Sequence, residues 1–263
     1  MCVSASAEAQ DTSESKTSAV TLPEGPEETV AQAQAAVIRA LEDDKRLIQV
    51  EMLLPLIGAT DLDDWPGGIR QQFKAAAPMM ESLLRKLPGV MESGGCQTEI
   101  LDQADAIGLW EGKGVAAVLF PTSATVKRLQ TLAEKDAERP LIIANTQWQG
   151  GQIISDFGIG PWKKRAEDFL AKFTLAYSLK SFRVQGENVR ILYSYPGEYQ
   201  VFCISAEGEV ELVCALDSNP SYKELETLLK AREGSAASQG VLDRLVSEFK
   251  FNADSLQEKP KNR

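Results

Sequence analysis

The segment that most constrains the fold lies in the middle of the chain, at residues 114–145. It opens with "GVAAVLF" and closes with "PLIIAN", two runs that are apolar almost throughout. Such runs are typical of strands that are covered on both faces of a sheet. Between them, Val126, Leu129 and Leu132 recur at helical spacing. The segment therefore predicts two parallel strands joined by a helix, and it places the chain in the α/β class.

The second half of the chain has a different pattern. From Phe169 onward, β-rich runs alternate with the short turn signals "QGE", "PGE" and "AEGE". We therefore predict a mixed sheet with an N-terminal parallel βαβ portion and a C-terminal antiparallel meander. Helices should pack on this sheet.

Further helices and a strand are indicated before the central segment. Pro26 suits the first turn of an amphipathic helix, and "KRLIQVEMLLPL" predicts a strand. A second helical pattern runs over residues 69–87, where Pro78 should kink or break the helix.

Near the C-terminus, Ser221 and Glu224 form a capping-box pattern that predicts the start of a helix. A last amphipathic pattern follows at Val241, Leu242, Leu245, Val246 and Phe249.

The chain length of 263 residues fits one large domain or two small ones, and we predict a single α/β domain. We assign this α/β domain to residues 22–252. Residues 1–21 are small, polar and unpatterned, which predicts a disordered tail, and residues 253–263 form a second tail.

Composition excludes several classes of function. The chain has no histidine, which removes the usual catalytic triads and the commonest metal ligand. Its formal charge of −10 argues against general nucleic-acid binding. Cysteine spacing does not suggest zinc, and Cys203 and Cys214 should be unlinked core thiols on one sheet face, opposite Leu212 and Val201 respectively. We predict no catalytic residue, no metal site and no cofactor.

The loop "NTQWQGGQIISDFGIGPWKKR", residues 145–165, is the strongest candidate site. It follows the second parallel strand, where open α/β sheets commonly bind ligands, and it ends in a basic cluster at a predicted helix start. The candidate partner- or anion-binding residues are Asn145, Trp148, Gly150, Gly151, Trp162, Lys163, Lys164 and Arg165. The alternative is a loop that only turns the chain, because it matches neither common glycine-rich nucleotide motif. Both tryptophans fit core packing equally well.

Several segments together resemble a known family. They are "LPEGPEETVAQAQAAVIRAL", "RLIQVEMLLPL", "VAAVLFPTSATVKRL", "RPLIIANTQW", "AEDFLAKFTLAYSL" and "YSYPGEYQVF". As an ordered set they resemble the plant, algal and cyanobacterial family that includes the chloroplast protein Low PSII Accumulation three. The "FP", "N..QW" and "YPG" elements carry most of the likeness, although Thr146 stands where members often have proline.

The resemblance implies a non-enzymatic auxiliary factor in the chloroplast stroma or at the thylakoid. It would assist photosystem II assembly by contacting photosystem II subunits or other assembly factors, with local basic patches touching the thylakoid membrane. The alternative function is an α/β protein that binds a small molecule or nucleotide through the anion site of loop 145–165. A third hypothesis is a module that pairs with its own copy.

Overall fold

The computed structural model describes residues 21–55, 68–148 and 161–233. Within these ranges the helices are α1 (Pro26–Glu42), α2 (Gly68–Arg85), α3 (Val126–Lys135), α4 (Pro161–Leu170) and α5 (Tyr222–Glu233). A 3-10 turn, Ser123–Thr125, precedes α3. The strands are β1 (Leu47–Glu51), β2 (Cys96–Asp102), β3 (Ile107–Gly112), β4 (Ala116–Leu119), β5 (Leu141–Ala144), β6 (Thr174–Val184), β7 (Glu187–Ser194), β8 (Tyr199–Ile204) and β9 (Val210–Leu216).

All nine strands form one mixed sheet in the order β2-β3-β4-β5-β1-β6-β7-β8-β9. The central strands β4, β5, β1 and β6 are parallel, and antiparallel strands flank them on both sides. The predicted βαβ unit is β4, α3 and β5, and the predicted meander is β6 to β9. The α/β fold class is confirmed.

The two faces of the sheet carry different helices. Ala117 and Leu119 of β4 pack in the first core with α1 and α2, on a side that we call the α1 face. The intervening residues of β4 pack in a separate core with α3 and with Phe169 of α4, on the opposite α3 face. Ile191, next to Leu192 of the first core, packs with α5. Because neighbouring strand residues point to opposite faces, α5 also lies on the α3 face.

The sequence predicted a kink or a break at Pro78; helix α2 runs unbroken through this residue, so the break does not occur. Proline removes one backbone hydrogen bond and destabilises a helix interior by about 3 kcal/mol. Here Ala75 and Ala76 before the proline, and Met79 and Met80 after it, are all buried. The packing of both halves of α2 offsets the cost.

The hairpin of β2 and β3 was not predicted. Strand β3 buries Ile107, Leu109 and Trp110, whereas β2 is an edge strand with mostly exposed residues. Because the residues of β2 are mostly polar, the apolar residues of β3 do not stand out in the sequence as one half of a hairpin.

The predicted capping box is confirmed at the start of α5. The amide of Ser221 donates to Glu224 Oε2 over 2.7 Å, and the amide of Glu224 donates to Ser221 Oγ over 3.3 Å. These bonds satisfy two donors at the helix start. The last predicted helical pattern, at residues 241–249, lies outside the described residues.

The predicted core thiols are also confirmed as free cysteines. Cys214 pairs with Val201 as expected, but Cys203 lies opposite Glu211 instead of Leu212. A bulge at Val213 shifts the register by one residue. Burial raises the pKa of Cys203 to about 12 and that of Cys214 to about 11.

Candidate functional site

Two residues with unusual backbone geometry follow the parallel strands β4 and β5. Phe120 has a φ of 56° and Asn145 a φ of 47°, in the left-handed region that residues other than glycine rarely adopt. The Phe120 amide donates to the carbonyl of Ala144, and the Asn145 amide donates to that of Val50, each over 2.9 Å. Both residues therefore continue the sheet pairing while they turn the chain.

The side chain of Asn145 joins the ends of β5 and β1. Its Oδ1 accepts a hydrogen bond from the Met52 amide over 3.0 Å, and its Nδ2 donates to the Met52 carbonyl over 2.7 Å. The carboxamide thus pairs with one backbone residue as a neighbouring strand would. This contact gives the predicted site residue Asn145 a structural role at the C-terminal edge of the sheet.

Gln147 connects the C-terminal edge of the parallel strands to the turn between β2 and β3. Its Nε2 donates to the carbonyls of Asp105 and Phe120, each over 2.8 Å, and its amide donates to the carbonyl of Pro121 over 3.0 Å. The "FP" and "N..QW" elements are therefore one structural unit. Gln147 was not among the predicted site residues, although it belongs to the family-like motif.

The "YPG" element lies at the opposite end of the sheet. Ser194 pairs with Tyr177 near the start of β6, which places the turn at the N-terminal edge of the parallel strands. Arg39 of α1 donates through Nε to the Tyr195 carbonyl over 2.5 Å, and the Tyr195 hydroxyl donates to Asp43 over 3.0 Å. The turn therefore holds the C-terminal end of α1 by hydrogen bonds. Because it lies at the other edge of the sheet, the three motif elements do not form a single site.

Helix α4 begins at Pro161, as predicted, and brings together a tryptophan and three cations. Trp162 is 75% exposed, Lys164 and Arg165 are exposed, and Lys163 is half-buried. The first turn contains no acidic residue. Positive charge at a helix N-terminus is unfavourable unless an anionic group approaches it. We call these four residues the α4 entrance.

The other predicted site residues fall elsewhere. Trp148 is half-buried and packs against the core beneath α3, so it contributes to packing. Gly150 and Gly151 lie outside the described residues.

A polar cluster that the sequence analysis missed occupies the α3 face on strands β1 and β6. Glu51 Oε2 accepts from Lys180 Nζ and from Ser178 Oγ, each over 2.7 Å, and Gln49 Nε2 donates to Oε1 over 3.1 Å. The side chain of Glu51 is 18% exposed and that of Lys180 is 40% exposed. Three donors thus compensate a largely buried carboxylate.

Two tyrosines continue this cluster across β7 and β8. The rings of Tyr193 and Tyr199 stack with their centroids 4.6 Å apart. Burial raises the pKa of Tyr199 to about 12, with smaller contributions from Tyr193 and from the charge of Glu51. Both hydroxyls stay protonated at neutral pH. The cluster therefore presents an ammonium group and hydroxyl groups beside a stacked aromatic surface.

The sequence does contain a signal for this cluster. A central parallel strand covered on both faces is usually apolar throughout. Gln49 and Glu51 instead place polar groups at alternate positions of "LIQVE", on the face that α1 does not cover. Ser178 and Lys180 repeat the same alternation in β6.

The described parts of the chain offer no group of three or more His, Cys, Asp or Glu side chains placed to hold a metal ion. No helix within those parts is long and apolar enough to cross a membrane.

The fold and its surfaces define a mixed α/β sheet protein with a basic, tryptophan-bearing helix start and a polar cluster on the face of the sheet. The chain belongs to the family described as "Domain of unknown function (DUF1995)", whose model matches residues 23–227. The comparison with curated proteins gave no match, and neither did the comparison with solved structures. The matched range falls within the predicted domain of residues 22–252, and those outer limits stay a prediction.

Proposed function

We propose that this protein is a non-enzymatic chloroplast auxiliary factor that assists photosystem II assembly through protein–protein contacts, as a relative of Low PSII Accumulation three. The family-like segments support the proposal, and the structural observation that carries it is the α4 entrance. An exposed tryptophan beside three cations is a typical contact surface, because Trp and Arg are enriched among interface hot spots. The protein acts in the stroma or at the thylakoid surface.

Charge indicates which partner surface fits the α4 entrance. The chain as a whole carries a formal charge of −10, so most of its surface repels acidic partners. Lys163, Lys164 and Arg165 form a local exception at the start of α4. The complementary surface is an acidic segment of a photosystem II subunit or assembly factor. The anionic thylakoid surface then lies close enough to strengthen the contact.

The test compares tagged variants purified from solubilised thylakoids and stroma, with the co-purifying proteins quantified by mass spectrometry. Removing a hot-spot side chain costs at least about 2 kcal/mol of binding free energy, or about 30-fold in affinity. Trp162→Ala should therefore strongly reduce recovery of photosystem II subunits. Tyr222→Ala is the matched control, since Tyr222 is 53% exposed on α5. Equal recovery with wild type and with Trp162→Ala would refute the proposed contact.

A second candidate function is binding of a phosphorylated small molecule or nucleotide at the α4 entrance. The observation in its favour is the cluster of three basic residues at a helix N-terminus that lacks an acidic residue in its first turn. At a hundredfold excess over its dissociation constant, a ligand stabilises the folded protein by about 2.7 kcal/mol. A melting shift with inorganic phosphate or ATP that Lys163→Gln/Lys164→Gln abolishes would support this function. A flat thermal profile with both anions would count against it.

A further inference from the structure

An apolar patch crosses strands β8 and β9 on the α1 face. Phe202 lies directly opposite Leu212, and Ile204 lies directly opposite Val210. Residues that face each other across two strands point to the same side of a sheet. Because Phe202 belongs to the first core, all four side chains point to the α1 face. We call them the β9 patch.

The β9 patch is incompletely covered by the described residues. Val210 is 52% exposed and Leu212 is 46% exposed. Strands β8 and β9 contribute only Phe202 to the first core, since α1 and α2 pack over the strands nearer the centre of the sheet. Strand β9 is also an edge strand. Exposed apolar residues on an edge strand invite association, and proteins commonly cover such edges with a helix or loop.

Arg190 supplies an independent observation beside the patch. It pairs with Phe202 across β7 and β8, so its side chain shares the α1 face. Its Nε is buried and has no hydrogen-bond partner among the described residues. Burial also lowers the pKa of this guanidinium group. Arg190 as a whole is half-buried, but leaving a buried donor of a charged group without a partner is costly, and a neighbouring carboxylate would compensate it.

We propose that residues 241–250 of this same chain cover the β9 patch as an amphipathic helix and place the Glu248 carboxylate beside Arg190. The segment "VLDRLVSEFK" has its apolar residues at Val241, Leu242, Leu245, Val246 and Phe249, which form one stripe on a helix. Glu248 follows Val241 by about two helical turns and therefore borders that stripe. The segment offers both the apolar surface and the negative charge that the patch requires.

The end of α5 lies close enough to the patch for this arrangement. Arg232 forms ion pairs with Glu187 over 2.7 Å and with Glu211 of β9 over 3.1 Å, on the α3 face. The chain then has to pass round one edge strand to reach the α1 face. Residues 234–240, "GSAASQG", reach up to ~23 Å at ~3.3 Å per residue, whereas packed layers are ~10 Å apart.

Photocrosslinking of the full chain tests the proposal. Leu212→p-benzoylphenylalanine should crosslink to a peptide from residues 241–250, and mixed isotope-labelled and unlabelled protein should show both peptides in one chain. Ile100→p-benzoylphenylalanine, on the opposite edge strand, is the control and should not reach that peptide. Crosslinks between two chains would mean that a second copy covers the patch. That result, or crosslinking elsewhere only, would overturn the proposal.

Substitutions in the segment test the helical contact itself. Leu245→Asp places a charge in the apolar stripe of the proposed contact and should lower the crosslink yield about tenfold or more. Ser247→Asp, on the polar side of the proposed helix, should leave the yield unchanged. Glu248→Arg should lower it, and Arg190→Glu in the same chain should restore it. Equal loss with Leu245→Asp and Ser247→Asp, or no rescue by the double charge reversal, would contradict the arrangement.

Discussion

Replacing Asn145 isolates the contact that joins β5 to β1. Asn145→Ala removes the hydrogen bonds to the Met52 amide and carbonyl, at 3.0 and 2.7 Å. At about 1 kcal/mol of net stability per bond, their loss costs about 2 kcal/mol. Alanine also tolerates the left-handed backbone less well than asparagine, which adds about 1 kcal/mol. The free energy of unfolding should therefore fall by about 3 kcal/mol, as measured by urea denaturation at neutral pH.

Asn145→Asp separates the two bonds. A carboxylate still accepts from the Met52 amide, but it cannot donate to the Met52 carbonyl, whereas a protonated carboxyl group can. The folded protein should therefore raise the pKa of the new aspartate above the unfolded value of about 3.9. A raised pKa means that stability is present at low pH and is lost as the pH rises through the folded pKa.

The assay compares each variant with wild type at pH 4.5 and pH 7.5. Asn145→Ala should be destabilised equally at both values, and Asn145→Asp should be closer to wild type at pH 4.5. A loss of unfolding free energy below about 1 kcal/mol for Asn145→Ala would refute the stabilising role of the Asn145–Met52 contact. An Asn145→Asp penalty that is independent of pH would refute the assigned direction of the second bond.

Other predictions concern the polar cluster, the thiols and α5. Because the pKa of Tyr199 is raised to about 12, the free energy of unfolding should fall as the pH rises from about 10 towards 12, and Tyr199→Phe should reduce that slope. Glu51→Gln should lower the pKa of Tyr199 in an ultraviolet titration; an unchanged value would contradict the assigned charge effect. In the native protein at pH 8, Cys214 should react with thiol reagents about 100-fold more slowly than an ordinary cysteine, and fast labelling would be inconsistent with its burial. Ser221→Ala should cost about 1 kcal/mol in urea denaturation, and no change would argue against the cap.

Much of the fold follows from local pattern, and the exceptions have physical causes. The apolar runs around Val118 and Ile143 predicted parallel strands because only a sheet covered on both faces buries such runs. Of the kink or break predicted at Pro78, the break does not occur, because tertiary packing on both sides outweighs the loss of one hydrogen bond. The strand partner of Cys203 differs from the predicted one because a bulge adds one residue to β9. No residue pattern in this strand predicts the bulge.

The candidate site was less predictable than the fold. The sequence indicated that Trp162 lies near a helix start, but only the structure distinguishes its exposed ring from the packed ring of Trp148. The role of Asn145 depends on its contact with Met52, a residue far away in the sequence. The cluster around Glu51 depends on the strand order that sets β6 beside β1. Such contacts arise from topology, which residue spacing along one segment does not encode.

The position of β1 at the centre of the sheet has a consequence for how the chain reaches its native state. Leu47 pairs with Leu141 and Ile48 pairs with Thr174, so the first strand to be synthesised receives its neighbours only after most of the domain exists. Long-range parallel pairing of this kind slows folding and leaves an apolar strand unpaired in the meantime. We therefore expect the nascent chain to depend on chaperones until β6 has joined β1.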